Sequence, residues 1–318
     1  MTRVVAVTGA TGFIGRTICR VLHDDGWSVR ALVRTPAKAD SIADFISTHV
    51  TGSLEDVGAL RRLVQNTDAV VHCAGAVRGA TRKQFDLVNV DGVARIVRLA
   101  SGEKSPPRFL MLSSLAAREP GLSAYAASKR AGEDVLAELG KGMNWIALRP
   151  PAVYGPGDTE LLPLFRLMGK GVAPVPGSSD ARFSMLYVDD LASAVLHWID
   201  KGGCDQGAYE LHDGRVGGYS WEDVIEITSG ICGRKIHRIS VPPYWLQVPA
   251  TFNWLAGCLF RYYPMLTPGK LRELAHPDWV CSNDAFTGCA GWSPGVRLEE
   301  GLRNTPGWAG FGEYRRSR

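Results

Sequence analysis

The apolar positions in the first half of the chain follow a repeating rhythm. Short β-branched runs alternate with longer stretches whose apolar residues recur every three or four positions. "RVVAVTG" (residues 3–9) is a Val-rich run closed by glycine and predicts a buried parallel strand. "GRTICRVLHDDG" (15–26) has helical spacing and a glycine stop. "WSVRALVR" (27–34) predicts a second strand, and "LRRLVQNTDAVVHCAG" (60–75) reads as helix, turn and strand. "LVNVDGVARIVRLA" (87–100) predicts helix, "RFLMLSS" (108–114) strand and "AYAASKRAGEDVLAEL" (124–139) a long helix. "MNWIALRPPAVYG" (143–155) is a strand running into a Pro-rich loop.

Strands alternating with helices at this spacing predict an α/β fold, a Rossmann-type doubly wound parallel sheet. Right-handed crossovers gather the strand C-termini on one edge, where such sheets bind ligands. After Gly155 the rhythm breaks and Pro and Gly become denser. The expected organisation is a cofactor-binding domain over 1–160 and a smaller C-terminal substrate-binding region over 161–318. "FSMLYVDDLASAVLHWI" (183–199) predicts one more strand and helix, so that 183–200 returns to the first core.

Composition narrows the function classes. The chain has 318 residues, 45% hydrophobic and 21% charged, with room for a sizeable core. A net charge of +4 is too small and too dispersed to argue for nucleic acid, and the basic tail "EYRRSR" (313–318) reads as a solvated terminus. Seven cysteines show no C-x-x-C and no zinc spacing with histidine, so no metal site is expected. Their odd number, and a strand starting almost at Met1, predict a cytoplasmic protein whose cysteines are small buried hydrophobes. The seven histidines form no cluster, and His72, inside a predicted strand, reads as core. No nucleophile-elbow signature for Ser-His-Asp hydrolysis is present.

Chemistry enters with "VTGATGFIG", where Gly9, Gly12 and Gly15 stand between a predicted strand and a predicted helix. Gly9 permits the tight turn, Gly12 lets backbone approach a pyrophosphate, and Gly15 lets helix and sheet pack closely. With Thr11, Phe13 and Ile14 this turn presents a helix N-terminus to phosphates. The second strand ends in Arg34, with Lys38 nearby, where NAD readers place an acid for the ribose 2′-OH. A cation there suits a 2′-phosphate, so NADP(H) is expected over NAD(H).

"SAYAASKRAGE" sets Tyr125 and Lys129 four residues apart, on one face of a helix. Together with "TGATGFIG", "MLSSLA", "VNVDG", "LRPPAVYGPG", "YVDDLA" and "GWSPGVRLEEGL", it makes the chain resemble an extended or atypical short-chain dehydrogenase/reductase over nearly its whole length. That broad family contains nucleotide-sugar epimerases, 3β-hydroxysteroid dehydrogenases and dihydroflavonol reductases. The resemblance implies a catalytic set of Ser114 (Ser113 the runner-up), Tyr125 and Lys129. It implies cofactor contacts at Ser53 and Leu54, where the family's usual Asp is replaced by Ser53, and at Cys73, Ala74, Gly75, Lys129, Pro150 and Val153. It also puts Asn89 and Arg182 near the substrate. Sugar epimerases of this family usually carry a longer insertion between the Ser and the Tyr than the eleven positions here.

A phenol has a pKa of about 10, and an adjacent Lys129 ammonium should lower it. Tyr125 would then pass a proton to or from a carbonyl oxygen that Ser114 also hydrogen-bonds. The uncharged stretch 239–260, with Trp245 and Trp254, predicts a buried helix and lid lining an apolar pocket; membrane-surface contact is its minority reading. The expected protein is an NADP(H)-dependent oxidoreductase interconverting a ketone and a secondary alcohol on a mainly apolar small molecule. A nucleotide-sugar epimerase/dehydratase and a cofactor-binding structural or assembly subunit are the alternatives, and a homodimer is compatible with all three.

Overall fold

The computed structural model describes residues 3–178, 180–260, 262–264 and 266–309, the side chain of Pro243 excepted. The tail 313–318 lies outside the described residues. A seven-stranded parallel sheet organises the chain. Its first six strands are β1 (Val4–Thr8), β2 (Ser28–Val33), β3 (Thr48–Thr51), β4 (Ala69–His72), β5 (Arg108–Leu112) and β6 (Trp145–Arg149). The spatial order is β3-β2-β1-β4-β5-β6, with the strand Gly207–Glu210 completing the edge beside β6. This is a Rossmann-type α/β fold. The order reverses between β1 and β4, so the crevice at their C-terminal ends is the place for a ligand.

Alternation along β1 feeds both faces. Val5 and Val7 join one core with helix α1 (Phe13–Asp24) and the Val188–Lys201 helix. Ala6 joins a second core with the helices Val57–Val64, Asp91–Ser101 and Ala124–Leu139. β3 is mostly exposed and lacks an apolar run, which is why its pattern is faint in the sequence. The stretch 87–100 is two helices, Arg82–Asn89 and Asp91–Ser101, broken at Val90. A third core, around Tyr154, Phe165, Met185, Leu298 and Leu302, belongs to the later part of the chain.

Two expectations are corrected. Cys204 and Cys289 are joined by a disulfide, 85 residues apart in sequence, so the cysteines are not uniformly free buried hydrophobes. Neither spacing nor motif announces this pair; packing of the Asp284–Ala290 helix beside the sheet edge creates it. Because disulfides persist in oxidising compartments, the cysteines no longer argue for a reducing one. The Pro243–Phe260 helix is only partly buried: Phe252 is 69% exposed and Leu259 75%, whereas Ala250 is fully buried. Among the described residues, no helix is long and apolar enough to cross a membrane.

Candidate active site

The glycine turn is built as a cradle. Gly9 adopts φ +68°, and a Cβ there would lie 2.6 Å from the Ala74 backbone nitrogen. A Cβ on Gly15 would lie 2.1 Å from the Gly9 carbonyl oxygen. Both positions therefore close the turn onto β4 and α1. Gly12 is exposed and would meet only the Gly9 carbonyl, at 3.3 Å. No side chain caps α1, which leaves its N-terminal N–H groups and positive dipole end for an anion. These residues fit a dinucleotide pyrophosphate, with Thr11, Phe13 and Ile14 forming the mouth.

Most of the other predicted cofactor positions follow the C-terminal ends of β2, β3, β4 and β6. Arg34 and Lys38 are exposed just beyond the end of β2. The Ser53 hydroxyl accepts from the Glu55 N–H, and Leu54 packs on Gly92. Ala74 donates its N–H to the Thr8 hydroxyl, which also bonds His72 at 2.8 Å. Burial pushes His72 down to about 3, so it is a neutral core residue. Burial also raises the Cys73 thiol, leaving it protonated. A Cβ on Gly75 would lie 2.9 Å from Lys129 Nζ, so glycine there keeps the loop against the lysine. The Pro150 carbonyl accepts from the Leu115 N–H and steadies the turn after Ser114, while Val153 lies on the short strand Ala152–Tyr154.

Asn89 is not a pocket wall. It is buried, its amide donates to the Ala76 carbonyl and the Ser128 hydroxyl, and its Oδ1 accepts from the Ala76 N–H. It ties the loop after β4 to the helix carrying Tyr125.

Ser123 caps that helix by accepting from the Ala126 N–H, which sets Tyr125 in the first turn and Lys129 one turn on. The choice between the two serines is geometric. Ser113 donates to Glu133 inside a buried pair in which Arg149 holds the same carboxylate with two bonds, of 2.9 and 2.6 Å. Ser114 instead lies beside Tyr125, close enough to lower the phenol's pKa, and its Oγ accepts from the Ala116 N–H. Tyr125 packs edge-on against Phe85, with centroids 6.0 Å apart.

The electrostatics differ from expectation. Burial raises the Tyr125 phenol, and the Ser114 hydroxyl and the Lys270 charge oppose that rise. Lys270 Nζ lies 6.0 Å from the phenol ring centroid, so the cation acting on Tyr125 in the free chain is Lys270 rather than Lys129. Lys129 donates to the Leu112 carbonyl at 2.9 Å, and burial lowers its pKa to about 8.

Tyr125 also opens onto a cavity of about 380 Å³. Val77, Ala80, Phe85, Trp254 and Pro264 form its apolar wall. Arg78, Lys270, Arg272 and Glu273 supply charge. Trp254 donates its indole N–H to the Ala80 carbonyl at 2.7 Å, pinning the Pro243–Phe260 helix to the rim. Trp245 does not line the cavity: it is 68% exposed on the outer face of that helix. Arg182 is likewise outside, donating to the Gly217 and Gly218 carbonyls. The sequence reading missed Lys270 and Glu273. The helix Pro268–Ala275 that carries them has a readable start in Thr267 and Pro268, but nothing local aims it at Tyr125.

A seven-stranded Rossmann sheet, a glycine cradle at its switch point and a Ser–Tyr pair beside a buried lysine define a nicotinamide-dinucleotide-dependent enzyme of the short-chain dehydrogenase/reductase type. The profile of the NAD dependent epimerase/dehydratase family matches residues 5–211, and the chain belongs to that family. A ceramide reductase of Caulobacter vibrioides is 37% identical, the alignment covering 96% of this chain and 94% of that one. A 2-alkyl-3-oxoalkanoate reductase of Stenotrophomonas maltophilia is 26% identical over 94% and 97%. Among solved structures, UDP-glucuronic acid 4-epimerase from Bacillus cereus in complex with NAD superposes with a TM-score of 0.71, 18% identity, and coverage of 95% and 97%. The chain is thus an oxidoreductase-type member of an NAD(P)-dependent family.

Proposed function

We propose that this chain is an NADP(H)-dependent reductase of a ketone carried by an apolar, ceramide-class substrate. The observation that carries the reading is the cavity at Tyr125, whose wall is apolar and whose cations are already engaged. Arg78 pairs with Glu160 at 2.6 Å, Lys270 with Glu273 at 3.0 Å, and Arg272 donates to the Leu122 carbonyl at 2.7 Å. A sugar nucleotide's diphosphate would have to displace these partners, whereas an aliphatic chain needs only the apolar wall. The names of the two reductase relatives point the same way.

A bound nicotinamide dinucleotide supplies the hydride that reaches the carbonyl carbon. The remaining work falls to the chain. Ser114 donates a hydrogen bond to the carbonyl oxygen as charge develops there. Tyr125 gives its proton to the same oxygen, and in the oxidative direction takes it back. Lys129 would hold the nicotinamide ribose and, one helical turn from Tyr125, would add positive charge to the site. Arg34, with Lys38, binds the 2′-phosphate. Residues 1–160 serve as the cofactor domain and 161–318 as the substrate-binding region. Use of the cytoplasmic NADPH pool supports a cytoplasmic location and the Cys204–Cys289 bridge opposes it; fractionation of cells decides between them.

The test is purified protein with NADPH and a keto-ceramide, alongside 2-alkyl-3-oxoalkanoates and cyclic and aryl ketones. Loss of one NADPH per alcohol formed, abolished by Tyr125→Phe, is expected. Redox-neutral interconversion of a UDP-sugar with cofactor retained through purification would overturn the reading in favour of an epimerase. Tight NADPH binding with no turnover on any candidate would favour the structural-subunit alternative.

A further inference from the structure

We propose that the Pro243–Phe260 helix seats the protein on an anionic lipid surface and holds the mouth of the Tyr125 cavity against it. The helix has 18 residues and no charge, and apart from Gln247, Thr251 and Asn253 its side chains are apolar or aromatic. Such a helix needs cover on every side. Its inner side has cover: Ala250 is fully buried, Asn253 donates to the Leu266 carbonyl, and Trp254 and Pro264 shape the cavity. Its outer side has none within the described chain. Val248 is 61% exposed, Phe252 69%, Leu255 49% and Leu259 75%, a stripe at spacings of four, three and four. Tyr244 at one end and Tyr263 beyond the other are 64% and 63% exposed. Amphipathic aromatics at both ends of an apolar helix suit the headgroup level of a bilayer.

Charge selects the occupant. Residues 227–272 contain no Asp or Glu, and they contain six cations, Arg234, Lys235, Arg238, Arg261, Lys270 and Arg272; Glu222 and Glu273 from outside the segment pair with Arg238 and Lys270, and the balance stays positive. A second copy docked through the same face would bring two such acid-free segments together, like charge against like. An anionic surface complements them, and apolar insertion with electrostatic attraction is the recognised way for an interfacial helix to bind. The helix is not long and apolar enough to span and is pinned at Trp254; it lies in the interface. One consequence deepens the reductase reading and rests on it: an apolar substrate can pass from the bilayer to Tyr125 along Trp254 without crossing water.

The test is sedimentation of the full chain with vesicles of phosphatidylcholine and phosphatidylglycerol, with phosphatidylcholine-only vesicles as comparison. The variant V248Q/F252Q/L259Q changes outward positions only, so folding and turnover on a water-soluble ketone should be unchanged. The wild type should bind the anionic vesicles, more weakly as salt rises. The variant should bind them at least about tenfold less, and its turnover should fall only on ketone embedded in vesicles. Absence of wild-type binding, or equal binding by the variant, overturns the proposal. So does a wild-type dimer that the variant converts to monomer, since the face is then a self-interface. Vesicle binding is read without catalysis, so it can succeed where the reductase reading fails, and the reverse.

Discussion

Lys129 should cost the free protein stability, so removing it should leave an inactive chain that is harder to unfold. The lysine is 5% exposed, and burial takes its pKa from an ordinary 10.5 to about 8. Each pKa step of one is worth about 1.4 kcal/mol, so the charged form is disfavoured by about 3 kcal/mol in the folded state. A folded-state pKa below the unfolded one means the unfolded chain holds more protons between pH 8 and 10.5. The penalty is therefore complete below pH 8 and is relieved as pH rises through that window. Lys129→Met removes the penalty and loses the hydrogen bond to the Leu112 carbonyl, worth about 1 kcal/mol. The net gain near pH 7 is about 2 kcal/mol, or about 3 °C in Tm for a chain of this length. The assay is thermal and urea unfolding of cofactor-free wild type and variant from pH 7 to 10, with NADPH titration and turnover in parallel. Wild-type stability should rise toward that of the variant above pH 8, while the variant binds NADPH more weakly and does not turn over. A variant less stable than wild type at pH 7, or a gap that does not narrow with pH, would refute the reasoning.

Three further outcomes are expected. Tyr125→Phe keeps the ring against Phe85 and leaves the glycine cradle untouched, so turnover should fall by about 10² to 10⁴ with NADPH affinity unchanged in a binding titration. Arg34→Ala should weaken NADPH by about one to two decades and leave NADH nearly as it was; tighter NADH than NADPH binding by the wild type would sink the 2′-phosphate assignment. Thiol titration of the denatured, unreduced protein should count five free thiols, and Cys204→Ala/Cys289→Ala should lower stability by up to about 4.5 kcal/mol, the loop-closure limit for a separation of 85 residues. A count of seven would remove the bridge.

The difference between Trp254 and Trp245 marks where local reading stops. Both sit in one uncharged run, and both suggest a lid. A nine-residue separation turns them toward different faces of the helix, so one reaches the cavity and the other is exposed. The faces follow from helical geometry; which face meets protein follows only from docking at Ala80. Asn89 is a similar case, because the residue is readable but its three hydrogen bonds into Ala76 and Ser128 are not.

The sequence by itself determined the five strands β1, β2, β4, β5 and β6 and the glycine turn, because each rests on periodicity or on backbone sterics within a few residues; the outer strands Thr48–Thr51 and Gly207–Glu210 carry no such pattern. It also placed Tyr125 and Lys129 one turn apart on a single helix, since an interval of four is a geometric relation, but not the partners each of them takes. Tertiary structure supplied the reason that Ser114 rather than Ser113 is left for the phenol, through Arg149 and Glu133 claiming the other hydroxyl. It alone brought Lys270 to Tyr125 and Cys204 to Cys289, 145 and 85 residues apart. These are contacts between segments whose local patterns carry no record of each other; only the packing of whole elements on the sheet brings them within reach.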